Sequence, residues 1–120
     1  MNRYLEEYIL KDLKEKIVFL SGPRQVGKTT LSKQLISPFA YLNFDSSIDR
    51  KIIKAEEWTR DVQLIIFDEL HKMKKWKTWI KGIYDTEGVT PSILVTGSAR
   101  LDIKKNMRLI FLFLLIINHY

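Results

Sequence analysis

The stretch of sequence that decides the fold is Gly22-Pro23-Arg24-Gln25-Val26-Gly27-Lys28-Thr29. It fits the pattern G-x-x-x-x-G-K-[ST], a loop whose backbone wraps the phosphates of a nucleoside triphosphate. The apolar run 17–20 precedes this loop, and a helix is predicted directly after it, over residues 29–36. Strand, loop and helix in that order are the context in which the motif binds phosphate. The sequence therefore predicts a nucleotide site at this loop.

The residue types of the loop suit a polyphosphate. Gly22 and Gly27 permit backbone conformations that bulkier residues avoid. The helix that opens near Lys28 would direct its free N–H groups and its positive dipole end at the phosphates. We expect Lys28 to bridge β- and γ-phosphate oxygens, and we expect the hydroxyl of Thr29 to be a Mg²⁺ ligand.

Two further apolar runs end in polar residues. The run 64–67 is followed by Asp68 and Glu69, as in a strand that is buried on both faces of a parallel sheet. Asp68 would orient Mg²⁺ or a metal-bound water, and Glu69 would polarise the attacking water. The run 92–97 precedes Ser98. We expect Ser98 to hydrogen-bond the γ-phosphate or the attacking water; Thr96 is the less favoured candidate for this role. A polar turn after a strand is the alternative interpretation of this last segment.

Secondary-structure patterns alternate along the chain. We predict helices over 2–13, 29–36 and 72–84, a further helix that begins after residue 45, and strands over 17–20, 39–44, 64–68 and 92–97. The pattern places Leu5, Tyr8, Ile9 and Leu13 on one face of the first helix. Ser46 and Asp49 have capping-box spacing in the third, with Ile48, Ile52 and Ile53 as its apolar side. This alternation predicts an α/β fold with a mainly parallel sheet and helices on both faces.

Composition limits the class of protein. The chain has 120 residues, enough for one compact domain, and is 46% hydrophobic and 28% charged. It contains no cysteine, which excludes disulfides and thiolate metal sites, and only two histidines, which argues against zinc. The N-terminal residues lack the apolar core of a signal peptide, so we expect a cytoplasmic protein.

The net charge of +6 is compatible with nucleic acid as a partner. Five lysines, at positions 72, 74, 75, 77 and 81, are interleaved with Trp76 and Trp79 and could form a DNA-contacting helix. However, Met73, Trp76, Ile80 and Ile83 recur at helical spacing, which favours aromatic residues that pack inward and lysines that face water.

The C-terminal segment departs from the alternating pattern. Residues Leu109 to Ile117 are nine consecutive apolar residues, whereas a membrane-spanning helix needs about 20. We therefore expect no membrane span. The segment would supply a fifth strand or would be an apolar end that does not fold properly.

Four segments together resemble the AAA+ branch of P-loop ATPases, and more narrowly the prokaryotic AAA ATPases whose ATPase domain precedes a C-terminal domain of obscure function. The segments are 22–30, 41–45, 67–72 with Trp76, and 95–100, and the resemblance covers about residues 1–102. It implies ATP and Mg²⁺ as ligands. It also implies that the residues from Gly22 through Thr30 form the Walker A motif. Asp68 and Glu69 would form the Walker B motif, with Glu69 as the catalytic base, and Ser98 would be the sensor 1 residue. In this family the first strand lies between the fourth and the fifth.

Residues 104–120 do not resemble the corresponding part of that family. We therefore expect an AAA+ core over 1–103, an incomplete sheet, and an atypical tail over 104–120 that results from truncation or a shifted frame. Arg100 and Arg108 lie in no recognisable arginine-finger motif. Because a finger contributes about 10³–10⁵ in rate, we expect weak or no ATP hydrolysis by this chain alone. The full-length family implies a homo-oligomer and a protein or DNA client.

Three other functions are consistent with a phosphate-binding loop to different degrees. A GTPase-like switch would need a guanine-reading Asn-Lys-x-Asp motif, which the sequence lacks. A P-loop small-molecule kinase would transfer the γ-phosphate to an acceptor instead of water. A non-enzymatic remnant or a nucleic-acid-binding module would use the lysine face between Lys72 and Lys81.

Overall fold

A computed structural model describes residues 3–22 and 27–97, together with the backbone of residues 107–111. Helices and strands alternate along this part of the chain. Their bounds, in chain order, are α1 Arg3–Leu13, β1 Ile17–Ser21, α2 Lys28–Leu35, β2 Phe39–Asn43, α3 Ser47–Ala55, β3 Leu64–Asp68, a 3-10 helix Leu70–Lys72, α4 Trp76–Glu87, β4 Ser92–Gly97 and β5 Met107–Phe111. None of the helices in the described ranges is long and apolar enough to cross a membrane.

The five strands form one sheet in the order β2-β3-β4-β1-β5, and every neighbouring pair is parallel. The first strand lies between the fourth and the fifth, as the family resemblance implies. The apolar segment 109–117 begins inside β5, and its residues 112–117 lie outside the described part of the chain. The predicted α/β fold with a parallel sheet is confirmed, whereas the division of the chain at residue 103 stays a prediction.

Helices cover both faces of the sheet, because alternate residues of its strands belong to two separate apolar clusters. In β1, Ile17 and Phe19 pack with residues of α3 and α4, whereas Val18 and Leu20 pack with residues of α1 and α2. Both β1 and β3 are buried along their whole length. Strands covered on both faces have unbroken apolar sequences, which accounts for the runs that predicted them.

The inward face of α1 is narrower than the sequence pattern predicts. Leu5, Ile9 and Leu13 are buried, but Tyr8 is 47% exposed. Successive residues of a helix are separated by about 100°, so the three buried residues form a stripe and Tyr8 lies about 100° from its centre. The expectation that Tyr8 faces the core is therefore wrong.

The predicted helix over 72–84 begins later than expected, at Trp76. Residues 70–72 form a 3-10 turn instead, and Lys75 has a left-handed backbone with φ 59°. A left-handed residue cannot continue a right-handed helix, so α4 starts only after it. The predicted inward face is nevertheless correct, because its four apolar members are buried: Met73, Trp76, Ile80 and Ile83.

The start of α3 follows the capping prediction, whereas one residue of its apolar side does not. The Ser46 hydroxyl accepts a hydrogen bond from the Asp49 backbone N–H at 3.3 Å. Ile53 is fully buried, but Ile48 is 72% exposed. The two isoleucines are five residues apart, which separates their side chains by about 140° around the helix axis. Only one of them can face the sheet. The expectation for Ile48 is therefore wrong.

These two isoleucines make a matched pair for a stability measurement. We expect Ile53→Ala to lower the free energy of unfolding by about 2–5 kcal/mol, because it removes buried methylene groups and leaves a cavity. Ile48→Ala should change it by less than about 0.5 kcal/mol. Urea denaturation followed by circular dichroism measures both values. Equal losses in the two variants would contradict the orientation of α3.

Candidate functional site

The carboxyl ends of the parallel strands meet at one edge of the sheet and bring the candidate residues together. Asp68 at the end of β3 is in register with Asn43 of β2 and Thr96 of β4, and Ser21 of β1 is in register with Gly97. A cavity of about 300 Å³ opens at this edge. Its lining consists of Lys28, Thr29, Asn43, Asp45, Asp68 and Glu69. Four of these six were candidates from the sequence; Asn43 and Asp45 were not.

The turn before α2 depends on a glycine. Gly27 has a left-handed backbone with φ 79° and ψ 30°, a conformation that glycine adopts without a steric penalty. Lys28 then begins the eight-residue helix α2. Its side chain is buried, and its ammonium donates a hydrogen bond of 2.5 Å to the Gly22 carbonyl. The Lys28 ammonium thus contacts the residue that directly follows β1.

The other predicted loop residues divide into two groups. Thr30 is exposed in α2 and does not line the cavity. Pro23, Arg24, Gln25 and Val26 lie outside the described residues, and so does Ser98. Thr96 was an alternative to Ser98 as a partner of the phosphate or the water. Its side chain is fully buried and contacts Asp68 instead.

Three hydroxyl groups surround the Asp68 carboxylate. Thr29 from α2 donates to Oδ2 at 3.1 Å, Tyr41 from β2 also donates to Oδ2, and Thr96 from β4 donates to Oδ1 at 2.5 Å. Asp68 itself is only 7% exposed. Both carboxylate oxygens are therefore hydrogen-bonded, and the orientation of the group is fixed by three different elements.

Thr29 and Asp68 are site residues that the sequence predicts, whereas Tyr41 belongs to the resembling segment 41–45 without a predicted role. Burial, together with the neighbouring Asp68 carboxylate, raises the pKa of Tyr41 well above its usual range. The phenol therefore keeps its proton and acts as a donor at neutral pH. The ammonium of Lys33 in α2 lies 4.1 Å from the centre of the Tyr41 ring, a cation–π distance.

Glu69 follows Asp68 directly but has a different environment. Its backbone is left-handed, with φ 60°, and its N–H donates to the Thr96 carbonyl at 2.8 Å. The carboxylate is buried, and Oε2 lies 3.5 Å from both Lys72 Nζ and His71 Nε2. Within the described part of the chain, Oε2 accepts no hydrogen bond. Glu69 thus borders the cavity, and its buried Oε2 has two basic side chains within ion-pair range but no hydrogen bond from a described residue.

Lys72 joins two loops at the rim of the cavity. Its ammonium donates to both carboxylate oxygens of Asp45 at 2.8 Å. This hydrogen bonding is the main reason that the pKa of Lys72 is raised. Lys81 likewise forms an ion pair with Asp85 at 2.7 Å. Two of the five lysines that could have formed a nucleic-acid face are thus neutralised by neighbouring carboxylates.

His71 packs against the end of β4. A Cβ atom at Gly97 would lie 2.3 Å from His71 Nδ1 and 2.8 Å from Cε1, closer than carbon atoms tolerate. Any larger residue at 97 would therefore require the imidazole to move. Burial lowers the pKa of His71, which favours the neutral ring. Gly97 was part of the predicted strand, but no pattern in the sequence indicates this packing.

The packing of His71 on Gly97 can be tested by substitution. We expect Gly97→Ala to destabilise the protein by about 1–3 kcal/mol, because the added methyl group overlaps the imidazole. In a His71→Ala background the same change should cost less, since the two sites are coupled, although Phe19 Cζ, 3.2 Å from the added Cβ, still crowds it. Gly82→Ala is the control, because a Cβ at Gly82 in α4 meets no atom within 4 Å.

Unfolding free energies from urea titrations of the wild type, the three single variants and the double variant give the coupling directly. A cost of Gly97→Ala that is the same with and without the His71 imidazole would show that the two residues do not share this space.

The kind of metal that the site could hold follows from its ligands. Among residues 3–22 and 27–97, no three histidine, aspartate or glutamate side chains form a metal-binding group. The cavity instead offers one hydroxyl, from Thr29, hydrogen-bonded to one carboxylate, from Asp68. Mg²⁺ bound together with substrate phosphates commonly uses only one or two protein carboxylates and keeps several waters. The donor set fits that mode of binding.

A family model described as an AAA domain matches residues 14–110, which is most of the chain. The matched range includes the loop, both acidic residues and four of the five strands in full. A comparison with curated proteins gave no match.

Proposed function

Because the chain belongs to the AAA domain family and is therefore a nucleotide-binding domain, we propose that it binds ATP with Mg²⁺ and hydrolyses it slowly. The observation that carries this proposal is the hydrogen bond between Thr29 and Asp68, at 3.1 Å, on the wall of a cavity that also contains Lys28 and Glu69. One hydroxyl, two carboxylates and one ammonium are the groups that a magnesium-bound polyphosphate requires.

The phosphates would lie against the start of α2. Backbone N–H groups at a helix N-terminus attract anions, and Lys28 supplies a full positive charge at the same end of the helix. The Lys28 ammonium can exchange the Gly22 carbonyl for phosphate oxygens, because a hydrogen bond to an anion is the stronger of the two. Thr29 and Asp68 would hold the metal, which neutralises charge on the transferred phosphoryl group.

Glu69 would act on the attacking water. The residue borders the cavity, and its Oε2 oxygen is buried and accepts no hydrogen bond from a described residue. A rotation of the side chain would bring this oxygen to a water molecule, from which it could accept a proton or a hydrogen bond. Lys72 Nζ and His71 Nε2 each lie 3.5 Å from Oε2. They would keep the carboxylate near the rim of the cavity without donating hydrogen bonds to it. The rate should be low, because Lys28 is the only cationic side chain among the described residues that line the cavity. An arginine at such a site contributes about 10³–10⁵ in rate.

The binding part of the proposal predicts a specific effect of Lys28. We expect Lys28→Ala to weaken ATP binding by roughly 10- to 100-fold, the value of one charge-assisted hydrogen bond of about 1.5–3 kcal/mol. Isothermal titration calorimetry with ATP and MgCl₂ measures the affinity. Lys51→Ala, which removes an exposed lysine of α3, is the matched control. Equal affinity of the Lys28 and Lys51 variants would refute the site.

The catalytic part predicts a separation of binding from turnover. We expect Glu69→Gln to retain ATP affinity and to lower the rate of phosphate release by about 10²–10⁴-fold, the usual contribution of a general base. Single-turnover measurements with enzyme in excess and γ-labelled ATP detect slow hydrolysis. The control is Glu57→Gln, at an exposed position. Transfer of the label to a small-molecule acceptor, or a Glu69 variant as active as its control, would contradict hydrolysis by this residue.

A further inference from the structure

We propose that Tyr41 and Thr96 are positioning residues that fix the Asp68 carboxylate for the metal of a bound Mg–ATP. The inference rests on the proposed function and adds two residues to it. Neither side chain lines the cavity, so each would act through Asp68 and not by contact with the nucleotide.

The geometry assigns the two residues different oxygens of the same carboxylate. Thr96 holds Oδ1 and Tyr41 holds Oδ2, from the two strands on either side of β3. Asn43 is in register with Asp68, and Tyr41, two residues earlier in β2, lies on the same face of the sheet. Strands that are hydrogen-bonded to β3 therefore hold Asp68 from both sides.

Counting acceptor sites shows why these two bonds matter when a metal binds. An ionised carboxylate has about four lone-pair sites, and three hydroxyls use three of them here. The Thr29 hydroxyl has two lone pairs besides its proton, so it can bind a metal and still donate to Oδ2. Tyr41 and Thr96 hold one site on each oxygen, so the carboxylate keeps its orientation. The fourth site, on Oδ1, remains for a metal-bound water or for the metal itself.

The Tyr41 ring is itself held in place. Its hydroxyl bonds the end of β3, and its face lies below the Lys33 ammonium of α2, the helix that begins with Lys28 and Thr29. The ring also packs against the apolar cluster between the sheet and α1 and α2. The Tyr41 side chain therefore contacts both β3 and α2, the elements that carry Asp68 and Thr29.

The test uses Tyr41→Phe and Thr96→Val in the full chain, with a fluorescent ATP analogue as the probe. Its affinity is measured in EDTA and across a MgCl₂ titration, and Mn²⁺ binding is followed by electron paramagnetic resonance. Loss of a group that orients a metal ligand lowers metal affinity by about 10–100-fold. We expect that loss in both variants, with affinity for the metal-free analogue unchanged.

Two controls separate positioning from a general effect on the fold. Tyr84→Phe removes a phenol that donates to the Glu15 carbonyl, away from the cavity lining, and should behave as wild type. Thr96→Ser keeps the hydroxyl and should restore most of the metal affinity. A folding defect would lower metal-free and metal-dependent binding alike.

The outcomes distinguish this inference from the proposed function. Wild-type protein that binds no nucleotide, or binds it equally with and without Mg²⁺, would overturn both. Wild-type protein with strong Mg²⁺ dependence, and Tyr41 and Thr96 variants with the same dependence, would overturn the positioning role alone. A metal-affinity loss confined to Tyr41→Phe and Thr96→Val would support it.

Discussion

The hydrogen bonding of one buried carboxylate, Asp68, connects the parts of this domain that make up its site. Three hydroxyls from α2, β2 and β4 meet at this group, which itself ends strand β3. Removing a carboxylate from water is unfavourable unless its oxygens are hydrogen-bonded. The same contacts that compensate for the burial of Asp68 therefore also fix the relative positions of three elements, so local stability and site geometry have one physical origin.

The two acidic residues at the end of β3 differ in the hydrogen bonding of their carboxylates. Asp68 accepts hydrogen bonds on both oxygens, whereas Glu69 has Lys72 and His71 only at 3.5 Å. A carboxylate that coordinates a metal has to keep a fixed orientation. A carboxylate that takes a proton from water needs a free lone pair when the proton is transferred. The left-handed turn at Glu69, with φ 60°, directs successive side chains into these two environments.

Much of this arrangement could be predicted from the sequence, because its signals are local. The glycine-rich loop, the apolar run before Asp68 and the capping pair at Ser46 each depend on residues close together in the chain. The contacts of Tyr41 and His71 could not be predicted, because they require the strand order and the register between strands. Tyr8 and Ile48 were assigned to buried faces because periodicity gives a direction around a helix but not the width of the face that is covered.

The close packing of His71 on Gly97 has a consequence for how this sequence can change. The two positions belong to different elements, yet they draw on a single small volume. A larger residue at 97 would be accommodated more easily once the side chain at 71 had become smaller, but Phe19 Cζ, 3.2 Å from the same Cβ position, would still limit its size. Sequence drift at this rim of the sheet therefore favours one order, in which loss of the imidazole first lowers the cost of replacing the glycine.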